Sequence, residues 1–153
     1  MARMEYRKLE DGFPVLYHYA SITPDEISLR FVCDYLVKEG KVYEKTSCAA
    51  EDGCYVVYVK ESTEEKAIPG ASSRPSWRGI RVELRKFDEF ARHYPVLHHW
   101  DFDRFEEALL QLQSNYVYWG DKEWERTSTE VDEDRKLYVI YAQEATPYEG
   151  QRY

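Results

Sequence analysis

Apolar and polar residues alternate with a period of two along several short stretches of this chain, and twice the period lengthens to that of a helix. YRKL at 6–9 and PVLYHY at 14–19 flank EDGF, a turn containing Asp-Gly, which predicts a hairpin. Thr23-Pro24-Asp25-Glu26 then supplies an N-cap, a proline at the first helical position and a capping-box glutamate. Ile27, Phe31, Val32, Tyr35 and Leu36 follow at helical spacing, with Gly40 as the stop. VYEKTS and CYVVYVKE around AAEDG predict a second hairpin.

The pattern then recurs. FPVLYHY at 13–19 returns as YPVLHHW at 94–100, and EKTS at 44–47 as ERTS at 125–128, both at an offset of 81. MEYRKLED at 4–11 aligns with VELRKFDE at 82–89, and CYVVYVKE at 54–61 with LYVIYAQE at 137–144. The second copy then carries small insertions at places expected to be loops, where length changes are tolerated. Its helix should be capped by Asp103 and present Phe105, Ala108, Leu109 and Leu112; strands are expected at 116–128 and 137–144, and a short helix at DEFARHY, 88–94. The expectation is one α+β domain over 1–153, a tandem duplication of a β-β-α-β-β unit. It comprises repeat one at 4–61, a connector at 62–80, repeat two at 82–144 and a tail at 146–153. A unit of this size buries too little surface to stand comfortably alone, and two copies about a pseudo-two-fold axis solve that in one chain.

With AAEDG as the loop, Cys48 faces Cys54, Ser47 faces Tyr55, Thr46 faces Val56 and Glu44 faces Tyr58. The second copy would repeat three of these as Ser128 with Tyr138, Thr127 with Val139 and Glu125 with Tyr141. Alternation puts Tyr55, Val57 and Val59, with Tyr138, Ile140 and Ala142, on the face that meets the helices. Glu44, Tyr58, Glu125 and Tyr141 then look into a groove between the copies. A carboxylate beside a tyrosine, supplied twice, suits a cationic ligand with an aromatic body. The layout is similar to that of the duplicated β-α-β-β ligand-binding domains of the GyrI-like family, from which the extra N-terminal strand of each unit departs. That resemblance implies a central glutamate in an aromatic cleft. His18 and His99 are the remaining retained candidates, able to act as acid or base beside Glu44 or Glu125.

Composition narrows the choice. Twenty-one Lys and Arg against 29 Asp and Glu leave a charge of −8, which disfavours nucleic acid and anionic membranes as partners. Arg85 and Lys86, matching Arg7 and Lys8, read as charged edge strands; the run Arg74, Arg78, Arg81, Arg85, Lys86, Arg92 otherwise offers a phosphate stripe broken by acids. No apolar run approaches a membrane span, and the first residues lack the apolar core of a signal peptide, so a cytoplasmic protein is expected. Three cysteines, Cys33, Cys48 and Cys54, have no cysteine counterparts at the offset positions and read as small buried side chains. His98 and His99, adjacent on a strand, cannot both face one ion, so neither metal nor cofactor is expected. No P-loop, nucleophile elbow, dinucleotide fingerprint or zinc-protease motif occurs.

These features lead to a non-catalytic intracellular binding module, holding a small aromatic or cationic ligand, or a protein segment, between the repeats. The 14 tyrosines support contact surfaces, including those of a homodimer. The alternatives are an acid–base enzyme using His18 or His99 with Glu44 or Glu125, and an acidic interaction or inhibitor protein.

Overall fold

A computed structural model describes residues 1–68, 74, 76–91 and 93–146. Part of the expected connector, Arg92 and the expected tail from 147 onward lie outside the described residues. The fold is mixed α+β, and the described residues form ten strands in one mostly antiparallel sheet and two helices. In chain order these are β1 (Ala2–Lys8), β2 (Val15–Ile22), α1 (Pro24–Val32), β3 (Tyr35–Lys38), β4 (Lys41–Glu51), β5 (Cys54–Glu61), β6 (Ile80–Lys86), β7 (Val96–Phe102), α2 (Phe105–Gln113), β8 (Tyr116–Trp119), β9 (Lys122–Asp132) and β10 (Leu137–Glu144). The strand order is β2-β1-β5-β4-β3-β9-β10-β6-β7, with β8 also paired to β9. No helix among the described residues is long and apolar enough to cross a membrane.

Helix α1 begins as its sequence dictates: the Thr23 side chain accepts a hydrogen bond from the Glu26 amide at 3.2 Å, with Pro24 in the first turn. It stops at Val32, well before Gly40, because Cys33 is extended at φ −81° and ψ 134°. Asp34 is then captured by β9: its carboxylate accepts from the Thr129 amide at 2.9 Å and hydroxyl at 3.3 Å. Tyr35-Leu36-Val37 continues as a strand parallel to Glu130-Val131-Asp132, so each half carries three strands after its helix where two were expected. Gly40 serves instead in the tight β3–β4 turn, where Glu39 and Gly40 lie at φ 54° and 75°. Gly120 and Asp121, at φ 62° and 59°, make the same turn between β8 and β9. Helix α2 starts from Arg104 without a side-chain cap, so the expected cap at Asp103 is not made. Among the described residues of 88–94 there is a turn and no helix. The Phe90 amide donates to the Asp88 side chain and the Phe90 ring is 91% exposed, so there is no buried stripe to hold a helix.

The second hairpin of each half is longer than its sequence pattern indicated. Glu51 pairs with Cys54 around Asp52-Gly53, with Gly53 at φ 75°; AAEDG is therefore mostly strand. Ser47 moves opposite Tyr58, Cys48 opposite Val57 and Glu44 opposite Lys60, with an irregularity at Thr46. Ser128 likewise lies opposite Tyr141 and Glu125 opposite Gln143. In the first half the tight turn displaces the pairs next to it by three residues and separates Cys48 from Cys54, and the irregularity at Thr46 reduces the displacement to two at Glu44. β1 and β6 are interior strands, each parallel to the last strand of its half, so Arg7, Lys8, Arg85 and Lys86 do not guard an edge.

One face of the sheet meets the helices. Val57, Val59, Tyr138, Ile140 and Ala142, assigned to that face from period-two alternation, pack there with Ile27, Leu29, Ala108 and Leu112, joined by Tyr6, Val82 and Leu84. Burying such side chains contributes roughly 1.5–3 kcal/mol each. The opposite face differs between the halves. On the second half the connector lays Ile68 over Leu137, Val139 and Tyr141, with Tyr94 beside it. The connector then reaches the end of the β9–β10 hairpin, where Arg74 donates to the Lys136 carbonyl at 3.1 Å. Trp77 finally packs on Tyr138 on the helix side, its ring 5.7 Å from the Arg30 guanidinium.

Candidate functional site

The six residues singled out from the sequence lie in separate places. Glu44 is paired with Lys60 at 3.6 Å, and Glu125 accepts from the Gln143 amide at 3.0 Å. The Tyr58 hydroxyl donates to Glu51, while the Tyr141 hydroxyl donates to Glu130 at 2.9 Å. The expected couples Glu44–Tyr58 and Glu125–Tyr141 are therefore absent, a direct result of the hairpin register. His18 and His99 are each beside a glutamate, though not the expected one: His18 Nδ1 is 3.1 Å from Glu5, and His99 Nε2 is 3.2 Å from Glu83. The signal was present in MEYRKLED and VELRKFDE, where Glu-x-Arg recurs on the strand next to each histidine.

In the second half this motif is built into a buried network. Arg135 donates to Glu83 at 3.1 Å from both terminal nitrogens and to Asp132 at 2.7 Å, and Arg85 donates to Glu83 and to the Tyr94 carbonyl. Burial pushes the Glu83 carboxyl up, but Arg135 and Arg85 more than reverse it, leaving it below the usual range. Burial leaves Asp132 above its ordinary value in spite of Arg135. Glu130, on the same strand, is 5% exposed, and burial together with neighbouring Asp132 raises its carboxyl to about 8, against the opposing effects of Tyr141 and Arg135. Arg135 sits in the longer β9–β10 turn, whose extra residues have no counterpart in the first half, so comparison of the halves could not reveal it.

Above this network lies a cleft of about 230 Å³. The connector contributes Glu64, Glu65, Lys66 and Ile68; the β6–β7 loop contributes Glu89, Ala91, His93 and Tyr94; the sheet contributes Glu130 and Tyr141. Tyr94 and Tyr141 meet edge to face, with ring centroids 5.3 Å apart. The surroundings are electronegative. Burial, Glu64 and Glu44 raise the Glu65 carboxyl, and burial with Glu65, Asp88 and Glu89 raises the Tyr94 phenol. Tyr141 alone of the six expected residues lines this cleft; Glu44 acts on it only through its charge. No group of three or more His, Cys, Asp or Glu among the described residues is arranged to hold a metal ion. The basic run is largely committed internally: Arg81 to Asp101 at 2.9 Å, Arg85 to Glu83, and Arg74 to backbone carbonyls.

Such an arrangement can accept a positive charge at the cleft floor and rest an apolar or aromatic body against two tyrosines. No family model, curated protein or solved structure matches the chain.

Proposed function

We propose that this protein is a small-ligand binding module whose site is the cleft beneath the connector, and that the ligand is an organic cation with an aromatic or apolar body. The observation that carries this reading is Glu130: a buried carboxyl at the floor of an aromatic-walled cleft with three further glutamates around it. A cation entering there gains attraction in a medium of low dielectric, where an exposed ion pair would be screened. The volume suits one ring with a short charged group rather than a cofactor or a folded segment.

Benzamidine is a suitable probe and benzoate its control. Benzamidine should raise the melting temperature at pH 9 and bind in calorimetry, while benzoate should do neither. The double variant E65Q/E89Q should weaken benzamidine about tenfold, close to 1.4 kcal/mol. E125Q, outside the cleft, should leave binding unchanged. Equal response to benzoate, or undiminished binding by E65Q/E89Q, would overturn the reading.

The acid–base alternative loses its intended geometry, since each histidine is bonded to Glu5 or Glu83 rather than to Glu44 or Glu125. Glu83 is moreover gripped by two guanidiniums, which makes it a weak base. We also infer that residues 4–61 and 82–144 descend from one copied segment. In support, Met4 lies beside Tyr55 and Val82 beside Tyr138 in parallel ladders, the residues that the sequence alignment equates.

A further inference from the structure

The back of the second half holds three buried acids, Glu83, Glu130 and Asp132, against two buried cations, Arg85 and Arg135. Both guanidiniums are engaged by Glu83, and Arg135 also by Asp132; no ion pair among the described residues reaches Glu130. Its hydrogen-bond partner is the neutral Tyr141 hydroxyl. The groups facing it come from every element packed against it. Glu64, Glu65 and Lys66 belong to the connector, Glu89, His93 and Tyr94 to the β6–β7 loop, Asp132 to its own strand, Arg135 to the β9–β10 turn, Tyr35 to β3 and Tyr141 to β10. Acids outnumber cations in that set. An isolated ionised carboxylate in such a site is expensive, so the acid left over from the network keeps its proton.

We propose that the cleft takes its cation in exchange for the proton on Glu130, so that the site fills at alkaline pH and empties on acidification. The proposal rests on the cation-binding reading above. The exchange balances: one positive charge enters, one proton leaves to solvent, and the charge of the buried cluster is unchanged. The titration of Glu130 near 8 places the transition just above neutrality.

The test is calorimetric titration of the full chain with benzamidine, which stays cationic throughout, at pH 6.5 and pH 9. With one carboxyl titrating near 8, affinity should rise about 30-fold between those values, and at pH 7 close to one proton should be released per ligand. Proton release is read by repeating the titration in buffers of different ionisation enthalpy. E130Q should bind weakly and show no rise, while H93N should keep it. Folding of E130Q is checked by its melting temperature. A carboxyl raised on folding favours the native state below the ordinary carboxylate range and loses that advantage as pH climbs towards 8. E130Q therefore should melt no lower than the wild type at pH 9.

Binding that is independent of pH would overturn the exchange and leave the cation site standing. Absence of binding at both values would remove the site itself. A rise that survives in E130Q but disappears in H93N would assign the proton to His93 and overturn the role of Glu130.

Discussion

Tyr58 and Tyr141 occupy the same position in their halves, opposite Ser47 and Ser128 and beside Arg7 and Arg85. Each meets a second ring edge to face, Phe13 at 5.5 Å and Tyr94 at 5.3 Å. Each half also places a glutamate between an arginine and a histidine: Glu5 with Arg7 and His18, Glu83 with Arg85 and His99. Yet Phe13 is half exposed, and the Arg7–Glu5 side chains are 23% and 13% exposed against 9% and 3% for Arg85–Glu83. The difference lies in what covers them. The second half carries Ile68 of the connector and the longer loop with Tyr94; the first has an open face. Where Ala49 stands in the first half, the second has Glu130, and the longer turn adds Arg135. The same local chemistry is thus a screened surface network on one side and a buried, high-stakes network on the other.

Matched substitutions test that contrast. R85A should destabilise the protein by about 3–5 kcal/mol in urea unfolding, since it removes a buried partner of Glu83, while R7A should cost under about 1 kcal/mol. Equal losses would mean that the cover over the second half does not control the energetics. A smaller effect is expected at the seam between the halves. Glu133, in the longer turn, accepts from Tyr19 at 2.5 Å, Arg30 at 3.1 Å and Lys38 at 2.9 Å, all in the first half. Burial raises its carboxyl, but Arg30, Tyr19 and Lys38 bring it below the usual range. E133A should therefore cost about 2–4 kcal/mol near pH 7, because Arg30 is 3% exposed and loses its closest carboxylate. The sign with pH follows from the lowered carboxyl. The wild-type advantage is present above the ordinary carboxylate range and fades as pH falls through the folded value, so the two proteins should converge in acid unfolding. The smallest contrast is between the tyrosines. Y141F should cost about 1 kcal/mol by leaving the buried Glu130 without its donor, and Y58F, on the open face, should give no measurable change in urea midpoint.

Local chemistry was readable wherever it depends on neighbours in the chain. The Thr23 cap, the Pro24 start, the helix-facing set from Val57 to Ala142 and the two-residue Asp52-Gly53 turn all rest on short-range rules, although the last was placed inside too long a loop. A displacement of the hairpin by three residues at Ser47 and Ser128, reduced to two past the irregularities at Thr46 and Thr127, was enough to separate Glu44 from Tyr58 and Glu125 from Tyr141, because cross-strand partners shift with the turn. The candidate cleft was less accessible still. Its walls come from the connector and the β6–β7 loop, segments without periodicity, and its floor from Glu130, which was not among the singled-out positions.

Periodicity, caps and turn residues along this chain determined that it would form two similar runs of strands around one helix each, because those signals act over a few residues. Burial was settled only when distant parts met. Leu29 and Leu110 hold the same helix position and the same side chain, yet one is fully buried and the other 66% exposed. Glu5 and Glu83 differ likewise, though less, with the same side chain and an arginine two residues on in both. Desolvation depends on what packs above a residue, and here that is a connector and a loop whose paths no local rule specifies.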